Sequence, residues 1–225
     1  ERGPNVIPPA LPDETPVGPE RADAARRESG LDGAFVLYPG DYEFSGGHDL
    51  LLRVWRRSAD LPQLVLSGRE KTPAAAERRR ELITRVERLG LSDRVRFLGR
   101  VPDLAGLQAA AEALLFPADS LYAKTDLPLV ILEAWRDGVA VLVSDLAPLR
   151  EAIADGGAVL PRTEDAWMQA LQDLPARRRV LAEAGAERFR KWYSAERAAS
   201  SYLAVYRSTC DDSVPETESG TSLEP

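Results

Sequence analysis

The residues best placed to do chemistry lie in one stretch, Lys124-Thr125-Asp126-Leu127-Pro128-Leu129-Val130-Ile131-Leu132-Glu133. Asp126 has the side chain of a helix N-cap, and Pro128 suits the first turn that follows. The start of such a helix has free backbone N–H groups and a partial positive charge, a combination that binds phosphate. Lys124 would add a full charge beside it. Glu133 comes about two turns further along, where a carboxylate can accept hydrogen bonds from two vicinal hydroxyls such as a ribose carries. The same residues also fit an ordinary buried helix with a solvent-facing Glu133, and physical reasoning alone favours that plainer reading.

Other chemistries are limited by composition. His48 is the only histidine and Cys210 the only cysteine, so neither a disulfide framework nor a His/Cys metal cluster is available. A Ser-His-Asp arrangement would have to use His48. We expect no metal and no other cofactor. The net charge of −7 is uneven. Acidic residues dominate both ends and leave residues 33–210 nearly neutral, which argues against a nucleic-acid footprint. No apolar run approaches the roughly 18 residues of a membrane span, and no signal peptide is evident, so a cytoplasmic location is expected. The chain begins at Glu1 without Met, which we read as a piece of something longer. Its 3 lysines, Lys71, Lys124 and Lys191, stand against 26 arginines. We read that bias as compositional rather than chemical.

The elements that must position these groups follow from periodicity. Short apolar runs at 34–38, 63–66, 95–98, 113–116, 139–143 and 158–160 predict strands. Between them, residues 49–58, 73–89, 104–112, 127–137 and 148–154 carry helical patterns. Three further helices are expected at 164–174, 175–192 and 195–207, with Ser194 as an N-cap. Strands alternating with helices predict a doubly wound, mainly parallel Rossmann-like α/β sheet of about six strands with helices on both faces. Its ligands would sit at the carboxyl ends of the strands, in loops 39–48, 67–72, 99–103, 117–126 and 144–148. Residues 1–32 are proline-rich and read as an extended interdomain linker or arm. Residues 33–193 form the domain proper, 194–209 a closing helix, and 210–225 an acidic disordered tail.

Several segments together carry a resemblance. Residues 124–138, then Ala140-Val-Leu-Val-Ser-Asp145 and Pro148-Leu-Arg-Glu151, with Leu91 to Val101 before them, resemble the C-terminal domain of the retaining GT-B glycosyltransferases (glycosyl transferases group 1). The resemblance covers about residues 5–207 in order. It implies a domain that binds a nucleotide-sugar donor, with the acceptor held by a separate N-terminal domain in the same chain or another subunit. It further implies that Glu133 holds the donor's ribose, that the amides around Leu129 and Val130 hold its diphosphate, and that Gly99-Arg100-Val101 contacts the base. The family's first glutamate of an E-x7-E pattern falls here on Thr125, with Asp126 beside it; either could contact the sugar hydroxyls. The family's basic residues after the first strand are also missing: residues 40–48 read Gly-Asp-Tyr-Glu-Phe-Ser-Gly46-Gly47-His48. Glycine amides at Gly46 and Gly47 can cradle phosphate, and Arg69, Lys71, Lys124 or His48 can supply charge if the fold brings them close. An alternative is a degenerate, non-catalytic domain kept as an interaction or regulatory module. An epimerase of the same fold is the third reading, and the single histidine counts against it.

Overall fold

The computed structural model describes residues 6–12, 14–44, 46–122 and 125–211. The chain runs α1 (Pro19–Glu28), β1 (Phe35–Tyr38), α2 (His48–Arg57), β2 (Gln63–Ser67), α3 (Pro73–Arg88), β3 (Val95–Leu98), α4 (Leu104–Ala109), β4 (Ala113–Phe116), α5 (Leu129–Arg136), β5 (Val141–Ser144), α6 (Ala147–Ile153), β6 (Ala158–Leu160), α7 (Glu164–Trp192) and α8 (Ala195–Asp211). All six strands are parallel, in the order β3-β2-β1-β4-β5-β6. The expected doubly wound sheet is therefore present. Its topological switch point lies between β1 and β4, where the strand order reverses.

The apolar runs form strands because both faces of the sheet are covered. Along β1, Val36 and Tyr38 pack into the larger core cluster with Leu51, Trp55 and Leu82 of α2 and α3. Phe35 and Leu37 point to the other face, against Ala25 of α1 and Leu107 of α4. Every residue of β1, β4 and β5 is buried. At about 25 cal/mol per Å² of apolar surface, these layers supply the main driving force for folding.

Three segments differ from the sequence expectation. The proline-rich N-terminal region is not extended throughout. Residues from Pro19 form α1, because Pro at the first turn and the buried Ala22 and Ala25 suit a helix packed on α4. Its extended part is tied down: Leu11 exchanges backbone hydrogen bonds with Tyr193 and Ala195, and the Val17 amide donates to the Asp137 carboxylate at 3.2 Å. Second, α7 runs unbroken through Pro175, where two helices were expected. Its apolar stripe (Trp167, Leu171, Leu174, Leu181, Phe189) stays on one side across the proline, so packing outweighs the lost backbone bond. Third, α5 starts two residues late. Pro128, with φ −62° and ψ 133°, is its cap, and Asp126 lies outside the helix and does not cap it. Residues before a proline avoid helical backbone angles, so Leu127 cannot begin the helix. Most of the acidic tail lies outside the described residues, and α8 extends to Asp211.

Candidate functional site

A cleft of about 370 Å³ opens at the carboxyl edge of β1, β2 and β3. Pro39, Gly40 and Asp41 line it after β1, and Ser67, Gly68, Arg69 and Lys71 after β2. Gly99, Arg100, Val101 and Leu104 contribute from the β3–α4 connection, and Val130 from the first turn of α5. A Cβ on Gly68 would lie 2.6 Å from the Gly40 carbonyl, and one on Gly40 would strike the Tyr38 ring at 2.4 Å. These two glycines let the β1 and β2 loops approach closely enough to leave the space above them open.

Of the residues singled out in the sequence, the cleft brings together Arg69, Lys71, Gly99, Arg100, Val101 and Val130. Lys124 lies outside the described residues. Leu129 is half exposed beside Val130 at the helix start, where the first amides lack intrahelical partners. Glu133 lies one turn beyond Val130 on the same face of α5. Burial raises its carboxyl above the usual carboxylate range. Arg136 opposes that shift and Asp137 adds to it. Thr125 uses its hydroxyl locally, donating to the Leu127 carbonyl at 2.9 Å. Thr125, Asp126, Leu129 and Glu133 are not among the residues that line the cleft; among the described residues of this segment, Val130 alone reaches it.

Gly46 and Gly47 do something other than line the cleft. The Tyr38 hydroxyl donates to the Gly46 carbonyl at 2.7 Å. Gly47 caps α2 with φ +79°, and a Cβ there would stand 2.2 Å from the Pro117 carbonyl. Only glycine fits that conformation and approach. The pair thus presses the β1–α2 loop against the β4–α5 connection at the switch point. Next to it, His48 is buried with its ring stacked on Tyr42 at 5.3 Å between centroids. Burial, with the Arg78 charge, pushes its pKa down to about 4, so the imidazole is neutral at pH 7.

Two supports were not singled out in the sequence. Asp103 caps α4 through the Gly106 amide at 3.0 Å and takes a two-pronged contact from Arg21 of α1, 2.8 Å for each bond. The Arg21 guanidinium holds the Asp103 carboxyl below its usual range. This clasp ties α1 to the end of the loop carrying Gly99 to Val101. Gln108 of α4, fully buried, donates to the Val130 carbonyl at 2.9 Å and links the cleft's two sides. A polar residue on the apolar face of a short helix was the only signal for it.

Among the described residues, no group of three or more His, Cys, Asp or Glu side chains could hold a metal ion. No helix among them is long and apolar enough to cross a membrane.

Residues 34–176 match the family described as glycosyl transferases group 1. A D-inositol 3-phosphate glycosyltransferase from Geodermatophilus obscurus is 31% identical over 222 residues, covering 92% of this chain and 48% of that protein. The chain thus spans about half the length of the curated relatives it matches. Among solved structures, sucrose-phosphate synthase from Thermosynechococcus elongatus superposes with a TM-score of 0.75 at 27% identity, over 92% of this chain and 53% of that one. Anabaena Alr3699/HepE in complex with UDP shares the fold, with a TM-score of 0.76 at 16% identity over 90% of this chain and 56% of its own.

Proposed function

This chain belongs to the glycosyl transferases group 1 family, and from that premise we propose that its cleft binds a nucleotide-activated sugar for transfer to an acceptor. The observation that carries this reading is the shape of the cleft, which joins the Gly99-Arg100-Val101 loop to the first turn of α5. A nucleotide sugar laid along it has its base at that loop and its diphosphate at the amides of Leu129 and Val130, where helix geometry favours an anion. Glu133, one turn on, accepts the ribose hydroxyls. Thr125 and Asp126 are the nearest polar groups in sequence for the sugar. The UDP held by the Anabaena protein of the same fold supports a nucleotide ligand.

The acceptor belongs to a second, N-terminal domain, in keeping with relatives about twice this chain's length. In the transfer, the bond from the anomeric carbon to the diphosphate oxygen breaks. The acceptor oxygen bonds to the same face of that carbon, with retention, and its proton is released. Negative charge developing on the leaving diphosphate meets preorganised backbone dipoles rather than a metal. A soluble donor of this kind suits a cytoplasmic reaction. Without the second domain, this chain binds nucleotide and transfers nothing.

A specific observation favours a second reading, a non-catalytic interaction or regulatory module. The Thr125 hydroxyl is spent on the Leu127 carbonyl rather than held toward the cleft. One experiment separates the two readings. UDP- and GDP-sugars are titrated by calorimetry into the chain and its Glu133→Ala variant. Binding that is lost in the variant supports the donor site; no response to any nucleotide sugar overturns it in favour of the second reading.

A further inference from the structure

We propose that Arg69 and Lys71 form a two-cation seat in the β2–α3 loop that takes the diphosphate of the nucleotide. This rests on reading the cleft as a nucleotide-sugar site. The loop Ser67-Gly68-Arg69-Glu70-Lys71-Thr72 carries three adjacent charged residues, and the structure sorts them. Glu70 turns away to form an ion pair with Arg79 of α3 at 3.2 Å. Arg69 and Lys71, on either side of it, line the cleft. Neither side chain has an ion-pair partner among the described residues, whereas Arg78, Arg79 and Arg85 of the adjoining helix are all paired.

The loop is held in this arrangement from both ends. The Gly68 amide donates to the Leu98 carbonyl at 3.3 Å, and the Lys71 amide to the Arg69 carbonyl at 3.1 Å, closing a tight turn. Thr72 accepts from the Ala75 amide at 3.0 Å as the cap of α3, and its hydroxyl donates to Glu43 at 2.5 Å. The acid on the opposite wall, Asp41, accepts hydrogen bonds from the Glu43 and Phe44 amides at 3.1 and 2.6 Å. Its lone pairs are therefore partly occupied by its own loop. Arg100 adds a third cation to the lining, so positive groups outnumber negative ones. An anion in this cleft gains charge-assisted hydrogen bonds from two side chains while the start of α5 faces it.

The test uses calorimetry on the whole chain with UDP, GDP, uridine, guanosine and inorganic pyrophosphate. Variants are R69Q, K71Q and the double substitution, each checked by thermal unfolding. Both side chains are exposed, so the unfolding temperature should not move. Each single substitution should weaken the preferred nucleoside diphosphate about tenfold and the double about a hundredfold, the loss of one and two charge-assisted contacts. The matching nucleoside, which has no phosphate, should change by less than about twofold. Added salt should weaken wild-type binding more than that of the double variant. Unchanged diphosphate affinity in the double variant overturns the seat and leaves the nucleotide reading standing. Pyrophosphate binding that depends on both residues, with no nucleotide binding, upholds the seat and overturns that reading. No binding of any anion by the wild type overturns both.

Discussion

Gln108 Nε2 donates to the Val130 carbonyl across 2.9 Å, so a fully buried side chain of α4 sets the position of the first turn of α5. Its Oε1 has no partner in the structure, so the residue is held by one bond while carrying the desolvation of a second polar atom. Gln108→Met keeps the volume and removes both. We predict a stability change within about 1 kcal/mol, since the lost bond and the removed orphan acceptor offset each other. Nucleotide affinity should fall severalfold, because the helix start is no longer clipped to α4. Thermal unfolding and nucleotide titration measured together decide it. A lower melting temperature with unchanged affinity would make Gln108 structural only.

Glu133 provides a test of function set against stability. Burial raises its carboxyl, so the folded chain holds a proton there more readily than the unfolded chain does. The stability that protonation contributes is present below the unfolded carboxylate pKa, about 4.3, and is lost as pH rises through the higher folded value. Glu133→Gln should therefore melt higher than wild type at pH 7, with the gap closing toward about pH 4. Nucleotide-sugar binding should weaken in the same variant. A variant that melts lower at pH 7 and binds equally well would contradict both halves.

His48 makes the opposite pH prediction. Its folded pKa of about 4 results first from burial and then from Arg78, against the pull of Asp49, Asp41 and Asp119. The unfolded chain protonates this ring near pH 6.5. The stability held in the neutral ring is complete above that value and is lost as pH falls from about 6.5 to 4. His48→Phe keeps a ring against Tyr42 and has no such titration. Urea unfolding across this range should give a shallower acid slope for the variant, and parallel slopes would refute the assignment.

Pro175 sits exposed inside the 29-residue α7. A proline in a helix interior removes one backbone bond and crowds the preceding turn, at a cost of about 3 kcal/mol. Pro175→Ala should raise stability by about 1–3 kcal/mol, part of the gain being offset by a more flexible unfolded chain. Denaturant midpoints measure this directly. An unchanged or lower midpoint would mean that the helix is already relaxed around the ring.

Much of the architecture was legible in the sequence because burial on both faces leaves continuous apolar runs. Phe35 to Tyr38 and Ala113 to Phe116 read as strands for that reason, and the glycines and prolines after them marked the edge where the cleft lies. Local rules failed where distant packing decided. Pro175 looked like the start of a second helix, yet Leu171 and Leu181 share one buried stripe across it. The N-terminal segment read as an extended interdomain linker, yet Leu11 pairs with the α7–α8 turn about 180 residues away. Asp126 had the right side chain for a cap, but Pro128 moved the helix start beyond its reach.

The sequence by itself determined the parallel α/β sheet and the loops at the carboxyl ends of its strands; of the segment 124–133 that it singled out, Val130 lines the cleft. Periodicity and turn chemistry are properties of one stretch of chain, and they can be read without knowing its neighbours. Only the tertiary structure decided which side chains meet. Arg69, Glu70 and Lys71 are three consecutive charges until Arg79 draws Glu70 aside. Gly47 is a helix cap until the Pro117 carbonyl shows why no other residue fits. The physical reason is strand order: long-range pairing places β1 between β2 and β4, and that order alone brings the loops after β1, β2 and β3 to the start of α5.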